Sequence, residues 1–260
     1  MQQVDHDGRT TMYRATQSDT SGPTALYIHG SGGNHQLWAH QYAPTGPTHP
    51  AVAVDLSGHG TSGAIHTEPG QETLNAYARD VTAVARETDA DILIGNSLGG
   101  AVVFEVLLNT DFDADGVVFA GTGAKLAVNA ELRELLVSDF NSAIEQLHQP
   151  SMLFADAGGS LLAKSKETLQ KTGQQVTTRD FLTCHEFDVR EQVAEIDLPA
   201  LAVVGADDRL TPPLYHEFLA DTIDSCETTV LKDAGHLAML ERPEAFNQAL
   251  SQFITEHIDT

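Results

Sequence analysis

The run Asp91-Ile92-Leu93-Ile94-Gly95-Asn96-Ser97-Leu98-Gly99-Gly100-Ala101-Val102-Val103-Phe104 decides the fold. A short apolar, β-branched stretch reads as a buried strand, and the apolar stretch after Gly100 reads as a helix. Between them the spacing Gly-x-Ser-x-Gly marks a sharp strand-to-helix turn, in which side chains two before and two after the serine would collide with it. Such a turn holds Ser97 with its hydroxyl exposed and sets the next amide, that of Leu98, at a helix N-terminus. The five-residue spacing alone arises often by chance; the strand before it and the helix after it make it specific.

Outward from that turn, strand-like and helix-like segments alternate from Ala25 onward, the pattern of a mostly parallel sheet with helices on both faces. The expected strands are Ala25 to Ile28, Ala51 to Leu56, Asp91 to Gly95, Gly116 to Ala120, Leu201 to Gly205 and Thr228 to Leu231. Before them, Gln2 to Asp5 and Thr10 to Thr16 flank Asp7-Gly8, a pair suited to a tight hairpin turn, so the sheet begins antiparallel. Leu74, Tyr77, Val81 and Val84 recur at helical spacing, and Pro243 opens a closing helix that carries Phe246, Leu250 and Phe253. The alternation breaks from about 122 to 189, where short helix-like pieces are separated by Pro150, Gly158-Gly159 and Gly173. This interval is expected to be a helical cap over the ligand-binding rim of the sheet, inserted between core segments 1–121 and 190–260.

A serine hydroxyl is a poor nucleophile until a base takes its proton, so a histidine oriented by a carboxylate is required, in the chain order Ser, acid, His. The strand ending at Gly205 runs into Asp207 and Asp208, and the strand ending at Leu231 runs into Asp233-Ala234-Gly235-His236. Of twelve histidines, His236 alone follows the last strand and precedes the last helix. Donors for a developing oxyanion are expected from the backbone, and His29-Gly30-Ser31-Gly32-Gly33, after the strand Ala25 to Ile28, supplies the amide of Ser31 to join that of Leu98. The glycines also suit a plain tight turn or a dinucleotide loop, but Gly30-Ser31-Gly32-Gly33-Asn34-His35 lacks the last glycine of Gly-x-Gly-x-x-Gly. A metal site is disfavoured, since His185-Glu186 and His216-Glu217 have Val189 and Ala220 where His-Glu-x-x-His requires histidine.

Composition excludes other classes. The 260 residues suit one α/β domain with an inserted subdomain. With 14 basic against 37 acidic residues the formal charge is −23, the wrong sign for nucleic acid or an anionic membrane surface. The acids are spread along the chain and lysine is scarce, which resembles proteins of salt-loving organisms and predicts self-repulsion unless counterions screen it. No apolar stretch approaches the roughly 20 residues of a membrane helix. The polar start Met1 to Asp7 predicts no secretory leader. Two cysteines, Cys184 and Cys226, are expected as reduced thiols. A cytoplasmic protein, monomer or homodimer, is the expectation.

These segments together resemble the α/β-hydrolase superfamily over nearly the whole chain. Beyond the Ser97 turn, Asp55-Leu56-Ser57-Gly58-His59-Gly60-Thr61-Ser62 is similar to that family's D-x-x-G-x-G-x-S loop, and the segments 196–205 and 235–243 resemble its acid strand and histidine loop. The family's Gly-x-x-Asp pattern, counted from Gly205, selects Asp208 over Asp207, with Thr211 and Pro212 expected at a helix N-cap and first turn. The resemblance implies a Ser97, Asp208, His236 triad, no cofactor and no metal, and a small-molecule ester or lactone as substrate. Serine at 97 argues against dehalogenase and epoxide hydrolase chemistry. Carboxylic ester hydrolysis comes first, enol-lactone hydrolysis second on the faint likeness of Gly121 to Leu126 to capped lactonases, and carbon–carbon bond hydrolysis third, because Gly33 and Asn34 replace the proline expected of its oxyanion loop. Perhydrolase or haloperoxidase activity could accompany any of these. A non-catalytic small-molecule-binding relative is the reading of another class; such relatives commonly lack a triad member.

Overall fold

The computed structural model describes residues 1–16, 22–43, 46 and 49–258. Eight strands form one sheet: β1 (Gln2–His6), β2 (Arg9–Ala15), β3 (Ala25–Ile28), β4 (Ala51–Asp55), β5 (Ile92–Asn96), β6 (Gly116–Ala120), β7 (Ala200–Gly205) and β8 (Cys226–Leu231), in the order β1-β2-β4-β3-β5-β6-β7-β8. The first two pairings, β1 with β2 and β2 with β4, are antiparallel and all others parallel. Asp7 and Gly8 adopt φ of 46° and 73°, the left-handed pair that a two-residue hairpin of this twist requires.

The helices are α1 (Ala39–Tyr42), α2 (Gln71–Glu87), α3 (Leu98–Asn109), α4 (Ala130–Ser138), α5 (Phe140–Leu147), α6 (Gly159–Thr172), α7 (Gln174–Glu186), α8 (Pro213–Thr222), α9 (Ala238–Glu241) and α10 (Pro243–His257). Helices cover both sheet faces, which is why the central strands read as unbroken apolar runs. The period of two is visible in the packing. Leu26 and Ile28 of β3 join one core with Leu74, Tyr77 and Val81 of α2, while Ala25 and Tyr27 join the opposite core with Trp38 and with Phe246 and Leu250 of α10. The stack of Phe104 on Phe119, ring centroids 4.3 Å apart, fastens α3 to β6, and truncating either ring would cost about 3–5 kcal/mol.

Between β6 and β7 the chain leaves the sheet and forms α4 to α7, with a separate apolar cluster built on Leu132, Leu136, Ile144, Leu147 and Leu169. Its two ends meet: the Val189 amide donates to Ala124 O at 2.8 Å, and Lys125 pairs with Asp188 at 2.9 Å. None of the helices among the described residues is long and apolar enough to cross a membrane. Both cysteines are free.

One expectation is corrected. Pro212 is the N-cap of α8 and Pro213 its first residue, while Thr211 lies before the helix and caps nothing. Its hydroxyl is engaged by Asp208 instead.

Candidate active site

The turn after β5 is as tight as its glycines require. Ser97 has φ 54° and ψ −117°, a region that costs a non-glycine residue of order 1–3 kcal/mol and persists only where surrounding contacts enforce it. Those contacts come from the end of β6: the Ser97 amide donates to Ala120 O at 3.1 Å, Asn96 Nδ2 to the same carbonyl at 3.0 Å, and the Thr122 hydroxyl to Ser97 O at 2.8 Å. The glycine requirement has a more specific cause than a clash with the serine. A Cβ on Gly95 would strike the backbone of Gly99 and Gly100, and one on Gly99 would strike the carbonyls of Ile28 and His29 on β3. The turn therefore closes onto itself and onto the neighbouring strand.

Asp208, at the end of β7, is buried with both carboxylate oxygens occupied. Oδ1 accepts the amides of Leu210 at 2.8 Å and Thr211 at 2.9 Å; Oδ2 accepts the Thr211 hydroxyl at 2.8 Å and His236 Nδ1 at 2.9 Å. Burial works to raise the Asp208 pKa, but the charge of the adjacent His236 and the bonds from His236 and Thr211 outweigh it and hold the carboxyl below its ordinary value. An ionised carboxylate only accepts, so Nδ1 of His236 carries the hydrogen and a neutral ring leaves Nε2 as the basic atom. Asp207 is exposed.

The loop of His236 is braced by Glu241, whose carboxylate accepts the amides of Gly235 at 2.7 Å, Ala155 at 2.9 Å and Asp156 at 3.0 Å. Leu237 donates to Leu153 O at 3.0 Å, so the segment leading into α6 and the histidine loop hold one another. Ser97 and His236 line the same cavity, of about 1030 Å³, at the upper end of the volume usual for ligand sites. They are not hydrogen-bonded to each other, a separation common before a substrate engages the pair.

The loop after β3 lines the same cavity with Gly30, Ser31 and Gly32. The Ser31 amide donates to no acceptor among the described residues, and the Leu98 amide, first in α3, has no carbonyl a turn before it within the helix. Gly32 and Gly33, by contrast, are spent on Asp180 and on Gly30 O. The D-x-x-G-x-G-x-S segment acts from behind: Asp55 Oδ1 accepts the amide and Nδ1 of His35 at 2.7 and 2.9 Å, while Ser62 bridges Asp55 O and the Met12 amide.

The sequence-predicted residues Ser31, Ser97, Leu98 and His236 thus meet at one cavity wall or its backing, with Asp208 behind His236. Sequence reasoning missed Thr211 as an Asp208 ligand, and missed Asp180, Thr172 and Glu241 entirely. Glu241 sits in a recognisable histidine-loop segment; Asp180 is a lone carboxylate within a helical insertion, without any pattern around it.

The model of the alpha/beta hydrolase family matches residues 25–249. A pimeloyl-[acyl-carrier protein] methyl ester esterase of Neisseria meningitidis is 27% identical, the match covering 95% of this chain and 82% of that protein. A 3-oxoadipate enol-lactonase of Acinetobacter baylyi is 25% identical over 90% of this chain and 89% of its own. Among solved structures, a thermophilic esterase superposes with a TM-score of 0.87 at 29% identity, covering 98% of this chain and 97% of that one. A family match that runs from β3 into α10, through every segment that builds the cavity, makes this chain a member of the alpha/beta hydrolase family.

Proposed function

We propose that the protein hydrolyses carboxylic esters through an acyl-enzyme on Ser97. The observation that carries this reading is the fully ligated Asp208 carboxylate, which fixes His236 with Nδ1 protonated and Nε2 basic beside the cavity that Ser97 enters. Ser97 Oγ attacks the ester carbonyl carbon as its proton passes to His236 Nε2. The oxyanion that forms is stabilised by the amides of Ser31 and Leu98, donors of a kind worth about 3–4 kcal/mol each. Collapse expels the alcohol, which takes the proton from His236. A water molecule, deprotonated by His236, then attacks the acyl carbon, and the acid leaves as Ser97 regains its proton. Asp208 orients the ring and stabilises its charged form throughout.

In this reading residues 122–189 are a cap, whose helices α6 and α7 supply Leu161, Lys164, Leu169, Phe181 and Cys184 to the cavity wall and so govern which acyl group fits. The enol-lactonase relative favours enol-lactone cleavage as a second reading, since the same steps open a ring when acid and alcohol belong to one molecule.

A fluorophosphonate probe and a p-nitrophenyl ester test the chemistry. The native protein should be labelled and active, and Ser97→Ala unlabelled and about 10⁴-fold slower, because triad members act as a unit. Turnover by the variant near the native rate would end the acyl-enzyme reading.

A further inference from the structure

The charge around the cavity runs against the charge of the chain. With 37 acidic and 14 basic residues, a wall drawn at random from this sequence would be acid-rich. The cavity instead carries Lys164, Lys171 and Arg209 with Glu167 as its one carboxylate among the described residues. Three of the chain's five lysines lie on the single helix α6.

Their placement separates them by role. Lys166 leans away from the cavity onto Glu145 of α5 at 2.6 Å, and Lys171 pairs along the helix with Glu167 at 2.6 Å. Lys164 falls on the cavity face of α6, at helical spacing between Leu161 and Thr168, which both line the cavity. Arg209, directly after Asp208 in the chain, lines the same cavity. Lys164 and Arg209 are exposed and make no ion pair among the described residues, in a chain with a large surplus of carboxylates available to them. A charge of −23 repels an anion approaching at long range, so recognition of one requires cations at the point of contact, and guanidinium and ammonium groups both suit a carboxylate.

Resting on the ester-hydrolase reading, we infer that the substrate is itself an anion: an ester or lactone that carries a free carboxylate away from the scissile bond, held at the cavity wall by Lys164 and Arg209. The neutral part of the molecule lies among Leu161, Leu169 and Phe181, and the charged end reaches the two unpaired cations.

Methyl hydrogen dicarboxylates from glutarate to sebacate, each compared with its dimethyl ester, test this directly. At one length or more, kcat/KM for the monoester should exceed that of the diester by about tenfold, a difference of about 1.4 kcal/mol. The Lys164→Gln/Arg209→Gln double variant should lower that ratio about tenfold, through KM for the monoester. Calorimetric binding of the free dicarboxylate of the preferred length gives a readout independent of turnover: the native protein binds it, and the double variant binds it at least tenfold more weakly. Equal or greater preference for the diesters, a ratio unmoved by the double variant, or no dicarboxylate binding by the native protein would each overturn the inference. If Ser97→Ala hydrolyses esters at the native rate, the chemistry assigned to Ser97 has failed instead, and the binding measurement still decides the anion site.

Discussion

The Asp180 carboxylate, carried on α7, accepts the backbone amide of Gly32 in the loop after β3 at 2.9 Å. The same buried carboxylate accepts His59 Nε2 at 2.8 Å and the Tyr77 hydroxyl at 2.6 Å, and from α6 the Thr172 hydroxyl donates to Gly32 O at 2.8 Å. Burial pushes the Asp180 pKa up, but His59 and the bonds from His59, Tyr77 and Gly32 outweigh it and hold the group ionised. Helices α6 and α7 therefore clamp Gly32, the residue next to Ser31, at both its amide and its carbonyl.

Asp180 is accordingly expected to act as a positioning residue for the Ser31 amide. Asp180→Asn should lower kcat by about 10- to 100-fold with little change in KM, since a donor that matters in the transition state is displaced. Affinity for a trifluoromethyl ketone analogue should fall in parallel. Thr172→Val should show a smaller effect of the same kind, restored in Thr172→Ser. A folded Asp180→Asn protein with lowered Tm but native kcat would assign the clamp to stability alone.

The two adjacent acids after β7 should differ sharply. With the remaining oxygen kept by the amides of Leu210 and Thr211, Asp208→Asn turns an NH2 donor toward His236 Nδ1, favours the wrong tautomer and is expected to cost about 10⁴-fold in kcat. Asp207→Asn, at an exposed position, should remain within a few-fold of native. Steady-state kinetics of both variants on one ester decide the matter, and the reverse ranking would transfer the role to Asp207.

Stability should fall as pH is lowered from about 6.5 to about 4. Burial, reinforced by His59, pushes the His29 pKa down to about 4; burial likewise lowers His216 to about 4, against the pull of Asp208. Each ring accepts a backbone amide at Nε2, His29 from Leu56 at 3.1 Å and His216 from Thr122 at 3.2 Å, and a proton there would break that bond. Between the ordinary 6.5 and the folded value of about 4 the unfolded chain binds more protons, so acid drives unfolding in that window. At lower pH the depressed carboxyls of Asp180 and Asp208 add to the loss as they protonate in the fold. Urea midpoints measured from pH 7 to 4 should decline, and more shallowly in His216→Gln. Parallel curves for native and variant proteins would remove His216 from the account.

Salt should stabilise the fold. Fourteen cations cannot neutralise 37 carboxylates, and the unpaired surplus repels itself at low ionic strength. Raising KCl from about 0.1 M to 1 M shortens the screening length from about 10 to 3 Å, and Tm is expected to rise by on the order of 10 °C. A Tm unchanged across that range would refute adaptation to high salt while leaving the site chemistry untouched.

What the amino-acid sequence determined by itself was whatever depends on local geometry and short-range pattern. Apolar runs of strand length, alternating with amphipathic ones, specified the sheet, because each strand buried on two faces must be apolar at every position. Gly95 and Gly99 announced the turn at Ser97, because only a missing Cβ lets that backbone close, and position after a strand pointed to His236 and to the pair Asp207 and Asp208, between which only the likeness to the family's Gly-x-x-Asp pattern chose. Tertiary structure alone decided what arrives from distant parts of the chain. Nothing around Asp180 signals that it meets Gly32, 148 residues earlier. The Thr-Pro-Pro of 211–213 looks like a helix start, yet Thr211 is drawn off by the carboxylate three residues before it. Lys164 is an ordinary surface lysine until α6 is laid over the cavity, because the direction of a helix face relative to the sheet depends on packing between segments and leaves no mark in the residues of the helix itself.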